Sequence, residues 1–313
     1  MKLATTTGDL FWSGDTPDRI IENFRTTGFK YLDVSFYTDH RPGSRLVGDD
    51  YRRYIDEYAG AAAKYGVTYV QAHAPGYNPF DPAADHETGM LAMRRTIEAC
   101  GILGIPNLVT HAGFSRDIPA DGGRERYYAE NREFYARLMD DAEHYGVNVL
   151  TENSAEGNMG SKYFFFTGAD IREFIEYTDF DRLFACWDTG HANMRGVNQY
   201  DDIVALGDLL RAVHIQDNYG KYDEHIAPFM GTLNLDAVIQ GLIAVGFGGP
   251  FTFEASNMIM PAGAWPHKRN EFVGPKGEAP RLFNASREIC IQAESLLYSI
   301  GKYALEQYGL FED

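Results

Sequence analysis

The feature that most constrains the fold of this chain is a regular alternation of two sequence patterns. Short runs rich in β-branched and aromatic residues, typical of buried strands, are each followed by a longer stretch with helical apolar spacing. The runs predict eight strands, at 2–7, 29–36, 68–74, 107–113, 147–153, 183–189, 212–218 and 251–256. The longer stretches predict helices at 16–27, 49–65, 86–103, 123–145, 167–177, 199–210, 233–245 and about 282–307.

The turns from helix to strand indicate how the strands are arranged. Five of them carry a glycine where a helix commonly ends in a left-handed residue, at Gly28, Gly66, Gly104, Gly146 and Gly246. Such returns favour a parallel sheet. Eight strand–helix units without a Pro-, Ser- or charge-rich linker predict a single α/β domain over residues 1–313, a (β/α)8 TIM barrel. A doubly wound sheet is the alternative, but no Gly-x-Gly-x-x-Gly pattern follows the first strand.

Two strand-to-helix loops are predicted to be long, 37–48 after the second strand and 257–281 after the eighth. Both are rich in glycine, proline and aromatic residues. Long loops on the catalytic face of a barrel are commonly lids or interface elements. We therefore expect a lid or interface loop at 257–281, followed by a C-terminal helix within 282–313.

Polar residues of metal-ligand type collect where the predicted strands end. The carboxyl ends of barrel strands converge on one mouth, and six of the eight end in an imidazole or a carboxylate: His73, His111, Glu152, Asp188, His214 and Glu254. A single histidine or glutamate there is more often solvated or hydrogen-bonded. Six together predict a metal site. Asp33, Asp217 and Asp223 stay ambiguous, because Asp33 and Asp217 could cap loops.

Charge and cysteine usage exclude several classes of protein. The chain has 28 Lys and Arg against 45 Asp and Glu, a formal charge of −17, which is unfavourable for binding nucleic acid or anionic lipid. No stretch approaches the ~18 apolar residues of a membrane span, and the first residues lack the apolar segment of a secretory signal. Three widely separated cysteines predict no disulfide framework. We expect a cytoplasmic protein without a membrane or nucleic-acid partner.

Several short strings carry a resemblance to a known family over essentially the whole chain. They are Glu152-Asn153, Asp188-Thr189-Gly190-His191, Val213-His214-Ile215-Gln216-Asp217-Asn218, Asp223-Glu224-His225 and Phe253-Glu254. In order and strand position they resemble the xylose isomerase-like barrel superfamily. That superfamily contains sugar and sugar-phosphate isomerases and epimerases, including ketose 3-epimerases, and the endonuclease IV type of apurinic endonuclease.

The resemblance implies a divalent-metal-dependent sugar isomerase or epimerase. It implies one metal held by Glu152, Asp188, His214 and Glu254, an oxygen-rich set suited to Mn, Mg or Co, with Zn as an alternative. Glu152 and Glu254 would be the acid/base pair that moves a proton through a metal-stabilised enediolate. The residues implied in substrate binding are His73, His111, His191, Asp223 and His225. The substrate would be a small sugar or sugar derivative, and similar proteins are homodimers or homotetramers.

Two other functions stay open. Nine residues match, in order, the ligands with which endonuclease IV-like phosphodiesterases hold three zinc ions: His73, His111, Glu152, Asp188, His191, His214, Asp223, His225 and Glu254. The charge of −17 and the absence of Lys- and Arg-rich loops weigh against that function. The third class is a non-catalytic subunit that binds a sugar or a metal.

Overall fold

The computed structural model describes residues 1–155, 163–259, 266–278 and 281–313. Its strands are β1 (Leu3–Thr6), β2 (Tyr31–Ser35), β3 (Thr68–His73), β4 (Asn107–Thr110), β5 (Asn148–Glu152), β6 (Leu183–Asp188), β7 (Leu210–His214) and β8 (Phe251–Phe253). The α-helices are α1 (Pro17–Asn23), α2 (Tyr51–Tyr65), α3 (His86–Leu103), α4 (Arg124–Tyr145), α5 (Gly168–Thr178), α6 (Thr189–Arg195), α7 (Gln199–Leu206), α8 (Leu235–Ala244) and α9 (Arg287–Gln307).

All eight strands belong to one parallel sheet in the order β8-β1-β2-β3-β4-β5-β6-β7. Ile215, directly after β7, joins the two edges of that sheet. Its amide donates to the Thr252 carbonyl at 2.8 Å, and the Glu254 amide donates to the Ile215 carbonyl at 3.1 Å. A parallel sheet closed in this way and surrounded by its connecting helices is a (β/α)8 barrel, so the predicted fold class is confirmed.

The helix ends follow the local signals in the sequence. All five glycines at the predicted helix-to-strand turns have positive φ, and the predicted helix 86–103 coincides with α3. The prediction for the last helix was wrong at its start. It begins at Arg287, because Ser286 caps it by accepting a hydrogen bond from the Ile289 amide.

Two further segments differ from the prediction. The segment after β7, 215–234, is a long loop and not the end of a strand, because Asp217 leaves the sheet and pairs in antiparallel fashion with Ile226. The helix α6 was not predicted, since its seven residues carry no apolar period. Within the part of the chain that the structure describes, no helix is both long and apolar enough to span a membrane.

The interior of the barrel has an apolar side and a polar side. Val109, Leu150, Cys186 and Ala212, from the neighbouring strands β4 to β7, form a small buried cluster of their own. On the other side, the Gln71 amide donates to Asp33 Oδ2 at 2.7 Å and Thr252 Oγ1 donates to Gln71 Oε1 at 3.4 Å. Because β3 and β8 are not neighbours in the sheet, the contact between Gln71 and Thr252 crosses the inside of the barrel.

Candidate active site

A cavity of about 850 Å³ opens at the carboxyl ends of the strands. Small-molecule sites usually have volumes in this range. Part of its wall is the loop after β2. Two hydrogen bonds anchor this loop: the Arg45 guanidinium donates to Glu57, and the Ser44 hydroxyl donates to Asp39. The predicted site residues that line the cavity are His73, His111, His191, Asp223, His225 and Glu254.

Glu152, Asp188, His214 and Glu254, here called the four-residue cluster, meet at the carboxyl ends of their strands, and Glu254 lines the cavity. Their candidate ligand atoms all lie within 4.8 Å of one another. His214 Nδ1 is 3.3 Å from Glu152 Oε1 and 3.5 Å from Glu254 Oε2. They converge because β5, β6, β7 and β8 are consecutive strands of the barrel, and each contributes one residue at or just after its carboxyl end.

The electrostatics of the four-residue cluster fit a divalent cation. Glu152 is buried, and its Oε2 has no hydrogen-bond partner. His111 Nε2 lies 3.2 Å from this oxygen, but not in hydrogen-bond geometry. An orphaned carboxylate oxygen in a buried site is costly unless a cation satisfies it. Carboxylate oxygens with one imidazole nitrogen are ligands that Mn, Mg, Co and Zn accept.

The pKa values in the four-residue cluster reflect burial opposed by neighbouring charges. Burial, with the carboxylates of Glu152 and Asp223, raises the pKa of Asp188 to about 6 against the lowering effect of His191. Burial would also raise the pKa of Glu152, but the nearby imidazoles, chiefly those of His214 and His111, bring that pKa well below its ordinary value. Glu152 is therefore held as a carboxylate, the form that binds a cation.

Two further groups of candidate ligands adjoin the four-residue cluster. One is formed by His73, His111 and Glu152, and the other by His191, Asp223 and His225. In the second group, the Nε2 atoms of His191 and His225 each lie 3.1 Å from Asp223 Oδ2. All nine residues predicted at the barrel mouth are therefore brought together.

The imidazole tautomers of this mouth can be inferred from backbone contacts. Nδ1 of His73, His191 and His225 lies 2.8, 2.9 and 3.0 Å from the carbonyls of Ala74, Asn153 and Glu254. A carbonyl can only accept, so each Nδ1 carries a proton. In the neutral imidazole each Nε2 then carries no proton, and its lone pair faces a carboxylate. Either a proton or a metal ion must lie between these acceptors.

Two amide side chains that the sequence does not single out hold the candidate ligands in place. Gln216 donates to Asp188 Oδ1 at 3.2 Å and to Asp223 Oδ1 at 2.7 Å, so it links two of the groups. Asn153 accepts from the Asp188 amide at 2.7 Å and donates to the Asp188 carbonyl at 2.9 Å. Both residues lie inside the strings quoted above, which was the available signal.

The three ambiguous aspartates take different places. Asp217 organises the loop after β7, because its carboxylate accepts from the amides of Asn218, Gly231 and Leu233 at 2.7, 3.0 and 2.9 Å. Asp223 lies between His191 and His225. Asp33 caps no loop and lies buried in β2, inside the barrel.

The predicted lid is described only in part. Residues 260–265 and 279–280 of the loop 257–281 lie outside the described residues. From the described part, His267 Nε2 lies 3.3 Å from Glu224 Oε1, next to Asp223 in the chain. The role of this loop as a lid or interface stays a prediction.

A parallel barrel whose strands deliver carboxylates and imidazoles to one mouth defines a class, the TIM barrels with a metal-type site at the carboxyl end of the sheet. The sequence model of one family in this class, the xylose isomerase-like TIM barrel, matches residues 21–272. The chain belongs to this family, which confirms the resemblance.

The curated relatives include both a sugar epimerase and a probable endonuclease. The chain is similar to L-ribulose 3-epimerase of Methylomonas sp. (strain DH-1), with 24% identity over 255 residues, 79% of this chain and 82% of that one. It is also similar to the probable endonuclease 4 of Methanoculleus marisnigri, with 32% identity over 180 residues, 52% of this chain and 60% of that one. The chain spans three fifths or less of the length of the first curated relatives it matches.

Among solved structures, the fold is similar to that of a D-tagatose 3-epimerase-like protein. The TM-score is 0.69 at 18% identity, and the match covers 99% of this chain and 100% of that one. Identity this low supports the fold alone.

Proposed function

We propose that this protein is a divalent-metal-dependent isomerase or epimerase of a small sugar or sugar derivative. The observation that carries the proposal is the four-residue cluster, in which three carboxylates and one imidazole meet, Glu254 lines the cavity, and Glu152 Oε2 has no hydrogen-bond partner. The similarity to L-ribulose 3-epimerase over 79% of the chain supports a sugar as the substrate.

The two glutamates of the four-residue cluster are placed differently toward the substrate. A divalent cation bound there would polarise a substrate carbonyl and balance the charge that develops when the adjacent carbon loses a proton. Glu254 lines the cavity with a side chain that is 20% exposed, whereas that of Glu152 is 1% exposed. Glu254 is therefore the base that takes the proton from carbon. Glu152, a carboxylate in the resting site, returns a proton after receiving one from the adjacent His111 imidazole, whose Nε2 lies 3.2 Å from Glu152 Oε2. Return to the opposite face of the carbon inverts its configuration, whereas return from one face to the neighbouring carbon isomerises the sugar.

The remaining polar residues of the mouth would hold the substrate. His73, His111, His191 and His225 line the cavity together with Asp223, and imidazoles and carboxylates are common hydrogen-bonding partners of hydroxyl groups. The Nδ1 contacts of three of these histidines with backbone carbonyls fix the ring orientation, so that Nε2 is the atom turned away from the backbone.

The test is the substitution Glu254→Gln, which keeps the shape of the side chain but removes its charge and its ability to take a proton. We expect it to lower bound metal, measured by metal analysis of the purified protein. It should also abolish deuterium incorporation beside the carbonyl when a panel of ketoses and aldoses is incubated in deuterated water.

Glu306→Gln, on the exposed face of α9, is the matched control and should change neither measurement. A Glu254→Gln protein with full metal content and full exchange would contradict the assignment. Turnover of a sugar by the unsubstituted protein without any exchange would point instead to a hydride shift.

A second function is favoured by one specific observation, that the nine mouth residues form three groups of candidate ligands, two of which share Glu152. Within each group the candidate ligand atoms face one another, as they would around a bound zinc ion. The alternative is a zinc phosphodiesterase like endonuclease IV, supported by the similarity to a probable endonuclease 4. Metal analysis discriminates the two: one equivalent supports the isomerase or epimerase, whereas three equivalents without sugar exchange support the phosphodiesterase.

A further inference from the structure

Asp33 is a buried carboxylate that the proposed reaction does not use. It lies in the middle of β2 and is 1% exposed. Its Oδ2 accepts a hydrogen bond from the Gln71 amide at 2.7 Å, and its Oδ1 is buried without any hydrogen-bond partner. A carboxylate this deep in the barrel is destabilising unless a donor or a positive charge faces it. Gln71 satisfies only one of its two oxygens.

The group that faces Asp33 from across the barrel is the imidazole of His214. Asp33 Oδ2 lies 3.6 Å from His214 Nε2, an ion-pair distance slightly longer than a formed hydrogen bond. Since β2 and β7 are not neighbours in the sheet, this contact spans the interior. The two carboxylates of the four-residue cluster near His214 lie on its other nitrogen, Nδ1. The Cys186 thiol and the His73 imidazole, which stacks on this ring with centroids 5.6 Å apart, also lie against it.

The two sides of the His214 ring have different requirements. An imidazole binds a metal only through a nitrogen that carries no proton, so Nδ1 must be bare if the four-residue cluster is to hold a cation. The single proton of the neutral ring must then lie on Nε2. A carboxylate on the Nε2 side favours that tautomer, because it accepts the Nε2 proton and is an unfavourable neighbour for a bare nitrogen.

The orientation of Asp33 is itself supported by a chain of polar contacts. Thr252 Oγ1 donates to Gln71 Oε1 at 3.4 Å, which turns the amino group of Gln71 toward Asp33. Four strands thereby contribute to one interior line of contacts, from β8 through β3 and β2 to β7. This line holds the Asp33 carboxylate beneath the imidazole.

We propose that Asp33 is the positioning residue of His214: it accepts the Nε2 proton, fixes the Nε2–H tautomer and so presents the bare Nδ1 to the metal. The proposal rests on the metal site of the proposed function, but not on the reaction. It assigns a role to a carboxylate that is neither a ligand nor in reach of the substrate cavity.

The test is the substitution Asp33→Asn, which preserves volume and removes the charge. We expect metal affinity to fall 10- to 100-fold, measured by titrating the metal-free protein with Mn²⁺ or Zn²⁺ alone against a chelator. The matched control is Glu294→Gln, another buried carboxyl-to-amide change, whose side chain has no described contact with the four-residue cluster and which should keep the affinity of the unsubstituted protein.

A second readout separates positioning from a structural role. In the zinc-loaded protein labelled with ¹⁵N, long-range ¹H–¹⁵N correlations should show His214 protonated on Nε2, and Asp33→Asn should weaken or remove that pattern. If Asp33→Asn does not fold, Asp33→Ser removes the carboxylate without introducing an amide and gives the same comparison.

Two outcomes contradict different statements. Wild-type affinity together with an unchanged His214 tautomer in the Asp33 variant overturns the positioning role. Absence of metal binding in the unsubstituted protein overturns the metal site itself and with it the proposed function.

Discussion

Asp9 and Glu294 form a pair of buried carboxyl groups at the edge of the cavity. Asp9 follows β1 and lines the cavity, and Glu294 projects from α9. Thr5 Oγ1 donates to Glu294 Oε1 at 2.6 Å and lies 3.4 Å from Asp9 Oδ2. Burial raises the pKa of Glu294 to about 7, and burial together with the charge of Glu294 raises the pKa of Asp9 well above its ordinary value. The pair therefore keeps a proton near neutral pH.

This pair predicts a pH-dependent effect of Glu294→Gln on stability. The pKa of Glu294 is higher in the folded than in the unfolded chain, so the folded state binds more protons. Its contribution is fully present below the ordinary pKa of 4.5 and is lost as the pH rises through about 7. The variant should therefore gain stability relative to the unsubstituted protein between pH 5 and pH 8, by roughly 1 to 3 kcal/mol.

Urea unfolding across this pH range measures the difference. Glu306→Gln, whose side chain is half exposed on the same helix, should show no pH-dependent difference. Parallel stability curves for Glu294→Gln and the unsubstituted protein would mean that Glu294 does not retain its proton in the folded state.

At the residue scale, the sequence predicted the candidate ligands better than the side chains that hold them in place. The histidines and carboxylates could be found because the barrel fold places every strand end at one mouth. The support given by Gln216 depends on the distance between Asp188 and Asp223, which are separated by a loop whose path the sequence does not specify. The sequence also allows Asp33 to cap a loop, since alternation alone does not show whether a strand residue faces the barrel interior.

At the scale of elements, the contact between α5 and α7 requires a glycine. A Cβ on Gly168 would lie 2.0 Å from the Asp202 carbonyl oxygen. The Gly168 amide also donates to Asp202 Oδ1 at 2.7 Å. The two helices therefore approach as closely as their backbones permit.

Gly168→Ala should destabilise the protein by about 1 to 3 kcal/mol, because the backbones must separate to accept the methyl group. Gly60→Ala is the opposite case. Gly60 lies within α2, and a Cβ there would meet no atom within 4 Å, so alanine should stabilise by up to about 1 kcal/mol through its helix propensity. Denaturant unfolding of both variants at one metal concentration measures their free energies of unfolding. The same change in both would refute the packing argument.

The elements that the sequence predicted and the one it missed differ in length and pattern. α3 has 18 residues with apolar periodicity, and its predicted bounds were correct. α6 has seven residues, and it begins because Asp188 accepts a hydrogen bond from the His191 amide at 2.6 Å. The same carboxylate belongs to the four-residue cluster, so the start of α6 and the geometry of the site depend on one side chain.

At the scale of the whole molecule, the charge of −17 separates the two functions that share the mouth residues. The negative charge of the protein repels the phosphates of duplex DNA. This repulsion is greatest at low salt, because the Debye length is about 30 Å at 0.01 M. We therefore expect neither binding nor cleavage of a duplex with one abasic site at about 10 mM salt, with Zn²⁺ or Mn²⁺ supplied.

A labelled duplex followed by gel electrophoresis provides the measurement, and a duplex without the abasic site is the control substrate. Cleavage confined to the abasic duplex would show that local contacts overcome the net charge and would favour the phosphodiesterase.

The division of the barrel interior into an apolar and a polar side has a consequence for how charge acts at the mouth. Val109, Leu150 and Ala212 have no side-chain dipoles that could reorient beneath β4, β5 and β7, and Cys186 adds only a thiol beneath β6, whereas Asp33, Gln71 and Thr252 supply stronger dipoles beneath β8, β2 and β3. We therefore expect the effective dielectric constant to be lower beneath Glu152 and Asp188 than beneath Glu254. A unit of charge gained or lost at Glu152 or Asp188, above the weakly polarisable side, acts on its neighbours more strongly than the same change at Glu254.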